Sequence, residues 1–422
     1  MRRVVVWAFL AAALVFPVRA QNFEVWAINY WVIDQFFPKF IQEWNQRNPN
    51  AQARLIQFEN DPYKQRLFVA LGAKSGPDVF YNWGGGVLES YVKAGAVEDM
   101  TSTIDPAWKN RFLDLMWRGV TFDGRIYGVP STELQPVVWF YNKAVFRRLN
   151  LQPPQTWAQL LSVVDRLRGA GVVPIVVAGG SKWPLLMYQE YLVDRLGGPE
   201  VFENITTNRP GAWRHPSVLR SAEMISELVA KNPFQPGWES AQYGTGTVRA
   251  LFATGRAAMQ LMGVWEFGAL VNEHPDFVKS GDLGWFAFPR VEGGRGDPRN
   301  LAGNFTNYFS VSSFARNKPA AIRFLRELSL SDDYVRFLLR NGAIPPTKGI
   351  QALIRQEGAY PDWQSFVYGL VEQAPYYVLS WDQALPPQLA QPYLDNLQLL
   401  FLRRIAPQEF VDRMQRLADG LR

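Results

Sequence analysis

Hydrophobic positions along the chain fall into two alternating rhythms. Phe23–Ile28 (FEVWAI) is almost wholly apolar and rich in β-formers, the pattern of a strand covered on both faces. After Asn29, Tyr30 and Trp31, apolar residues recur at Phe36, Phe37, Phe40, Ile41 and Trp44, the spacing of an amphipathic helix. Ala53–Phe58 returns as a strand and Tyr63–Ala73 reads as a second helix. Asp78–Tyr81 is a third strand, running into Asn82, Trp83 and three glycines. Strand, helix, strand, helix, strand predicts a parallel sheet of the α/β class.

The rhythm changes at Asp123–Asn142 (DGRIYGVPSTELQPVVWFYN), where a turn signal and two prolines precede the extended apolar run Val137–Tyr141. This predicts a strand that crosses between lobes. A second α/β series follows, with a helix over Thr156–Leu167 capped by Thr156 and a buried strand over Val172–Val177 that leads to Trp183. Ala257–Val264 is another strand, ending at Trp265 and Glu266. Leu283–Phe288 and Tyr308–Val311 read as strands, and Lys318–Leu328 as a helix entered through Asn317 and Pro319. Tyr334–Leu421 reads as helical with proline-rich breaks.

Composition adds size and address. A chain of 422 residues exceeds what one hydrophobic core usually serves, so two domains are expected. Arg2 and Arg3, the apolar run Val4–Phe16 and the small-x-small motif Val18-Arg19-Ala20 read as a cleaved export signal over residues 1–20. The run is short for a membrane span. No cysteine is present, which excludes disulfides, thiolate metal sites, a cysteine nucleophile and a lipid-modified N-terminal cysteine. The expected address is therefore the periplasm of a double-membraned bacterium, as a soluble monomer. Loss of Arg2, Arg3 and Arg19 takes the formal charge from +6 to +3, and the remaining Lys and Arg are scattered. Nucleic acid is thus excluded as a partner. His215 and His274 each precede a proline without paired acids, so no metal or cofactor is expected.

The candidate chemistry lies where strands end. Asn29, Tyr30 and Trp31, then Asn82 and Trp83, then Trp183, then Trp265 and Glu266, each follow an apolar strand. Open α/β sheets bind ligands outside the carboxyl ends of their strands. Aromatic faces cover the apolar faces of pyranose rings, while amides and carboxylates take up the hydroxyls. This pattern predicts a carbohydrate site with Glu266 as a clamp beside a Trp265 platform. Trp381 and Asp382, in a proline-rich break, are further candidates. Trp44, Trp108, Trp117 and Trp157 fall on helical faces and are assigned to packing.

Several segments together resemble the extracellular solute-binding proteins, family 1, of ABC importers, the class that includes maltose-binding protein. They are DGRIYGVPSTELQPVVWFYNKAVF with PPQTWAQLL, then GRAAMQLMGVWEF, LAGNFTNYFSVSSFARNKPAAIRFLREL and GAIPPTK, in that order. The resemblance implies two α/β lobes joined by hinge strands that close around a ligand, and a membrane permease as partner. The lobes are expected at 21–131 plus 280–330 and at 132–279 plus 331–422, the latter including a helical C-terminal part. By position it implies ligand contacts at Asn29–Trp31, Asn82, Trp83, Glu133, Trp183 and Trp265, with Asn304 of the LAGNFTNYF stretch placed beside them. Maltose-binding relatives carry charged residues near Tyr30 and Trp31, so the identity of the ligand does not carry over.

Two other readings compete. A secreted glycoside hydrolase would need two carboxylates across a scissile bond, for which Glu133 and Glu266 are the candidates. A carrier for a non-sugar solute such as a phosphorylated polyol would need basic groups, and among the candidate loops only Lys182 supplies one. A neutral sugar or oligosaccharide is favoured. The export reading is checked by mass spectrometry of the periplasmic protein, which is expected to show an N-terminus at Gln21. A mature chain retaining Met1 contradicts it.

Overall fold

The apolar run FEVWAI becomes the strand at the heart of the first of two sheets. The computed structural model describes residues 21–422, and the expected export signal at 1–20 lies outside the described residues. In chain order the strands are β1 (Phe23–Ile28), β2 (Ala53–Phe58), β3 (Val79–Asn82), β4 (Thr121–Phe122), β5 (Arg125–Ile126), β6 (Val129–Pro130) and β7 (Gln135–Asn142). They continue with β8 (Val173–Ile175), β9 (Ala257–Gly263), β10 (Leu283–Phe286), β11 (Leu301–Asn304), β12 (Tyr308–Val311) and β13 (Tyr377–Leu379). Helices α1 (Trp31–Arg47), α2 (Asn60–Gly72) and α3 (Gly85–Lys93) follow β1, β2 and β3.

The first sheet has the order β2-β1-β3-β12-β6. β1 runs parallel to β2, with Phe23 opposite Ala53, and parallel to β3, with Val25 opposite Val79. β12 returns antiparallel to β3 and carries the short β6 on its other edge. The second sheet has the order β13-β11-β7-β9-β8, with β10 also paired to β7. β7 is its centre: Val137–Phe140 are fully buried and run antiparallel to β9, Val137 opposite Gly263. Caps fall where expected, with Thr156 Oγ1 accepting from the Gln159 amide and Asn317 Oδ1 from the Ala320 amide, both at 3.2 Å.

The chain passes from the first sheet to the second between Pro130 and Gln135, and back between Asn304 and Tyr308. This corrects the expected division at 280. β10 and β11 pair with β7, so 283–304 belong to the second sheet. Gly281, next to that expected division, is a left-handed turn (φ +75°) that leads into β10. The division at 331 moves as well, because helix Asp332–Arg340 has a face in each core: Tyr334 and Leu338 in the first, Val335 and Leu339 in the second.

The glycines after Trp83 bring the two bodies together. A Cβ on Gly85 would lie 2.5 Å from the Gln383 carbonyl oxygen, and one on Gly86 would lie 2.4 Å from that of Ala384. The start of α3 therefore meets the segment after β13 backbone to backbone. Trp381 of that segment turns away from the cleft. It is 0% exposed, stacked on Phe202 at 4.3 Å, with Trp213 and Tyr393 each 5.5 Å away. Its expected role at the ligand gives way to packing, because three aromatics enclose it. Trp381→Ala should accordingly destabilise the fold by about 3–5 kcal/mol, the usual result of emptying a buried tryptophan site. Urea unfolding measures this, and a loss well under 1 kcal/mol would contradict the packing role.

Candidate functional site

β1, β2 and β3 are parallel, so their carboxyl ends open on one side and their following residues converge there. Asn29, Tyr30 and Trp31 come from the end of β1, Glu59, Asn60 and Lys64 from the end of β2, and Trp83 from the end of β3. They form one wall of a cavity of about 430 Å³. The facing wall comes from the other body. Trp183 begins helix Trp183–Gly197, Tyr243 begins a short turn, and Trp265 begins helix Trp265–Glu273 directly after β9. Between the walls lie Gln135 of β7, Asn304 of β11 and Asn307.

Three of the tryptophans read as loop residues are in fact first residues of helices: Trp31, Trp183 and Trp265. A ring at a strand-to-helix corner is fixed by both elements, which suits a rigid platform. The Trp183 ring sits 6.1 Å from that of Trp265 and meets Tyr243 edge-on at 5.0 Å. Two glycines make this possible. A Cβ on Gly263 would fall 1.9 Å from the Trp265 indole, and one on Gly268 would fall 2.6 Å from Nε1 of Trp31. The glycines of MGVWEFG are thus recesses, one for each indole.

Glu266 does not face the cavity. It is 0% exposed and points back into the body, where Arg249 donates to both of its oxygens at 3.0 and 3.2 Å. The Tyr243 hydroxyl donates to it at 2.7 Å, and the Arg249 guanidinium lies 5.2 Å from the Tyr243 ring centroid. Arg249 also donates to both oxygens of Glu273 at 2.6 Å. Burial first, and then the charge of Glu266, raise the Tyr243 phenol well above its ordinary value, so it stays a donor. The expected clamp is a strut: Glu266 fixes Tyr243, and Tyr243 fixes Trp183.

Glu133 likewise lies behind the wall. It is 1% exposed, accepts from the Tyr30 hydroxyl and, at 3.4 Å, from Gln135 Nε2, and is outside the cavity lining. Neither Glu133 nor Glu266, the two acids considered for glycoside hydrolysis, lines the cavity; the carboxylates of its lining are Asp34, Glu59, Glu273 and Asp382. Asn82 is buried too, donating to Ser310 Oγ at 2.9 Å and accepting from the Gly84 amide at 3.0 Å. It shapes the turn that projects Trp83. Of the expected contacts, Asn29, Tyr30, Trp31, Trp83, Trp183, Trp265, Asn304 and Asp382 line the cavity, and Asn82, Glu133, Glu266 and Trp381 do not.

Sequence reasoning missed the groups that bridge the walls. Lys64 lies 4.8 Å above the Trp83 ring and 3.5 Å from Asp382, while Gln35 donates to Asn272 at 2.6 Å. Lys64, Gln35 and Asn272 sit in helices, where their spacing marks them only as polar positions. Tyr243 carries a readable signal, an aromatic flanked by glycine in QYGTGT.

Comparison with known proteins places this geometry. A solved structure from work on xylan utilization by the thermophilic bacterium Caldanaerobius polysaccharolyticus is similar with a TM-score of 0.86 and 26% identity, covering 94% of this chain and 99% of that one. A chitin oligosaccharide binding protein shares the fold with a TM-score of 0.84 at 22% identity, covering 94% and 98%. The multiple sugar-binding protein of Streptococcus mutans is 22% identical over 76% of this chain and 74% of its own length. The profile of the bacterial extracellular solute-binding proteins matches residues 30–335. That match spans both sheets and the cleft between them, and the chain belongs to the bacterial extracellular solute-binding protein family.

Proposed function

We propose that the chain is the periplasmic binding protein of an ABC importer, capturing a neutral sugar or oligosaccharide between two closing lobes and handing it to a membrane permease. The observation that carries this reading is a cleft with aromatic residues on both walls, Trp83 and Tyr30 on one side and Trp183 and Trp265 on the other. Amides at Asn29, Gln135, Asn304 and Asn307 are placed to take up hydroxyls between them. The cations of the lining are already engaged, Lys64 with Asp382 and Trp83, and Arg249 with Glu266 and Glu273. This disfavours a phosphorylated ligand, which needs uncommitted donors. The sugar-binding names of the relatives point the same way.

From sheet membership, the lobes are 21–131 plus about 306–343, and 132–305 plus about 344–422. Neither wall alone covers a ligand, so binding energy is fully realised only on closure. The family is extracellular, and no helix among the described residues is long and apolar enough to cross a membrane.

Calorimetric titration against a panel of neutral oligosaccharides tests the reading. At least one should bind without being cleaved, and Trp265→Ala should weaken it by roughly 1–3 kcal/mol while the protein stays folded. Unchanged affinity in the variant would remove the platform, and turnover of the sugar would remove the carrier function.

A further inference from the structure

Glu133 sits on residues 131–134, the passage between the end of the first sheet at Pro130 and the start of β7 at Gln135. Its carboxyl is enclosed from both sides. Tyr30 at the β1–α1 junction, Tyr81 of β3 and Tyr334 of helix Asp332–Arg340 face it from the first lobe, and Gln135 of β7 faces it from the second. The groups that act on it are thus three phenols, the Gln135 amide and the backbone of Glu133 itself, with no Lys, Arg or His among them. Tyr30 and Gln135 both bond Oε1, while Oε2 has no partner among the described residues.

A buried carboxylate with one bare oxygen and no cation beside it is costly, and a proton on that oxygen removes most of the cost. The enclosure also depends on the lobes. The tyrosines are fixed in the first core and Gln135 in the second sheet, so rotation about 131–134 parts the two sides and admits water.

We propose that Glu133 takes up a proton when the lobes close and releases it when they open, making closure of the cleft proton-linked. Burial, opposed mainly by the Tyr30 hydrogen bond, pushes this carboxyl up to about 7 in the closed arrangement. In an opened, hydrated hinge it returns toward the ordinary glutamate value of about 4.3. Between about pH 4.3 and about pH 7 the closed form therefore holds a proton that the open form lacks, so its advantage is full at acid pH and is lost as pH rises through that window. The inference rests on the two-lobe reading above, but not on the identity of the ligand.

Small-angle scattering of the ligand-free full chain tests it without any sugar. For the wild-type protein the open-to-closed ratio should rise about tenfold or more between about pH 5 and pH 8. Glu133→Gln, which mimics the protonated side chain, should stay at the acidic ratio throughout. Tyr30→Phe, which removes the donor that favours the ionised form, should move the transition to higher pH. A wild-type ratio that is constant over the range, or a Glu133→Gln profile that follows the wild type, would overturn the proposal. A chain that opens with pH as described yet binds none of the oligosaccharides would uphold proton linkage and refute the sugar reading.

Discussion

A tryptophan that shows one ring face to an open cleft must be held from behind, or it folds onto the nearest apolar surface. In this protein the holding is done by the buried contact of Arg249 with Glu266, extended by Tyr243. Two buried charges are tolerable because Arg249 reaches both oxygens of Glu266 and both of Glu273, and Tyr243 adds a further hydrogen bond. The consequence is local rigidity where the chain turns from β9 into a helix. Gly263 supplies the recess, Trp265 fills it, and Trp183 leans against Trp265 and Tyr243. The same turn reaches the opposite lobe, since Gly268 also receives the edge of Trp31. One ten-residue stretch, 261–270, thus builds a platform and seats the other wall against it.

Parts of the frame were legible because several strands are rich in apolar β-formers and some helices, such as those entered at Thr156 and Asn317, carry side-chain caps. β1, β2 and β12 fall on the expected residues, and Thr156 and Asn317 cap as expected. β11 and β13 were not legible. LAGN contains Gly303 at φ +140°, and YVL is only three residues long, so β11 owes its strand character to pairing with β7 and β13, and β13 to pairing with β11. The site was legible in its aromatics and less so in its acids. On a helix, successive side chains point about 100° apart, so Trp265 facing the cleft turns Glu266 inward. Nothing local distinguishes Trp381 from Trp183. Their difference lies in Phe202 and Trp213, which are remote from Trp381 in sequence and close in space, together with Tyr393.

Closure has its own constraints, and they lie at the edges of the cleft. Gly85 and Gly86 let the first lobe meet the segment after β13 at backbone distance, and Lys64 meets Asp382 beside that contact. The partly exposed Lys64–Asp382 pair contributes little energy by itself. It does fix Lys64 above Trp83, whose ring is also met edge-on by Tyr63 and Tyr81. Binding, closure and the state of the hinge carboxyl are then one linked equilibrium.

The central claim is that tryptophans from both lobes hold the ligand while Glu133 and Glu266 stand behind them. A crystal structure with a bound oligosaccharide tests this most directly. The account predicts a pyranose face on the Trp183–Trp265 platform, further contact with Trp83 from the opposite wall, and no ligand atom within hydrogen-bond distance of either glutamate. A sugar bonded to the Glu266 carboxylate, with Arg249 displaced, would contradict it.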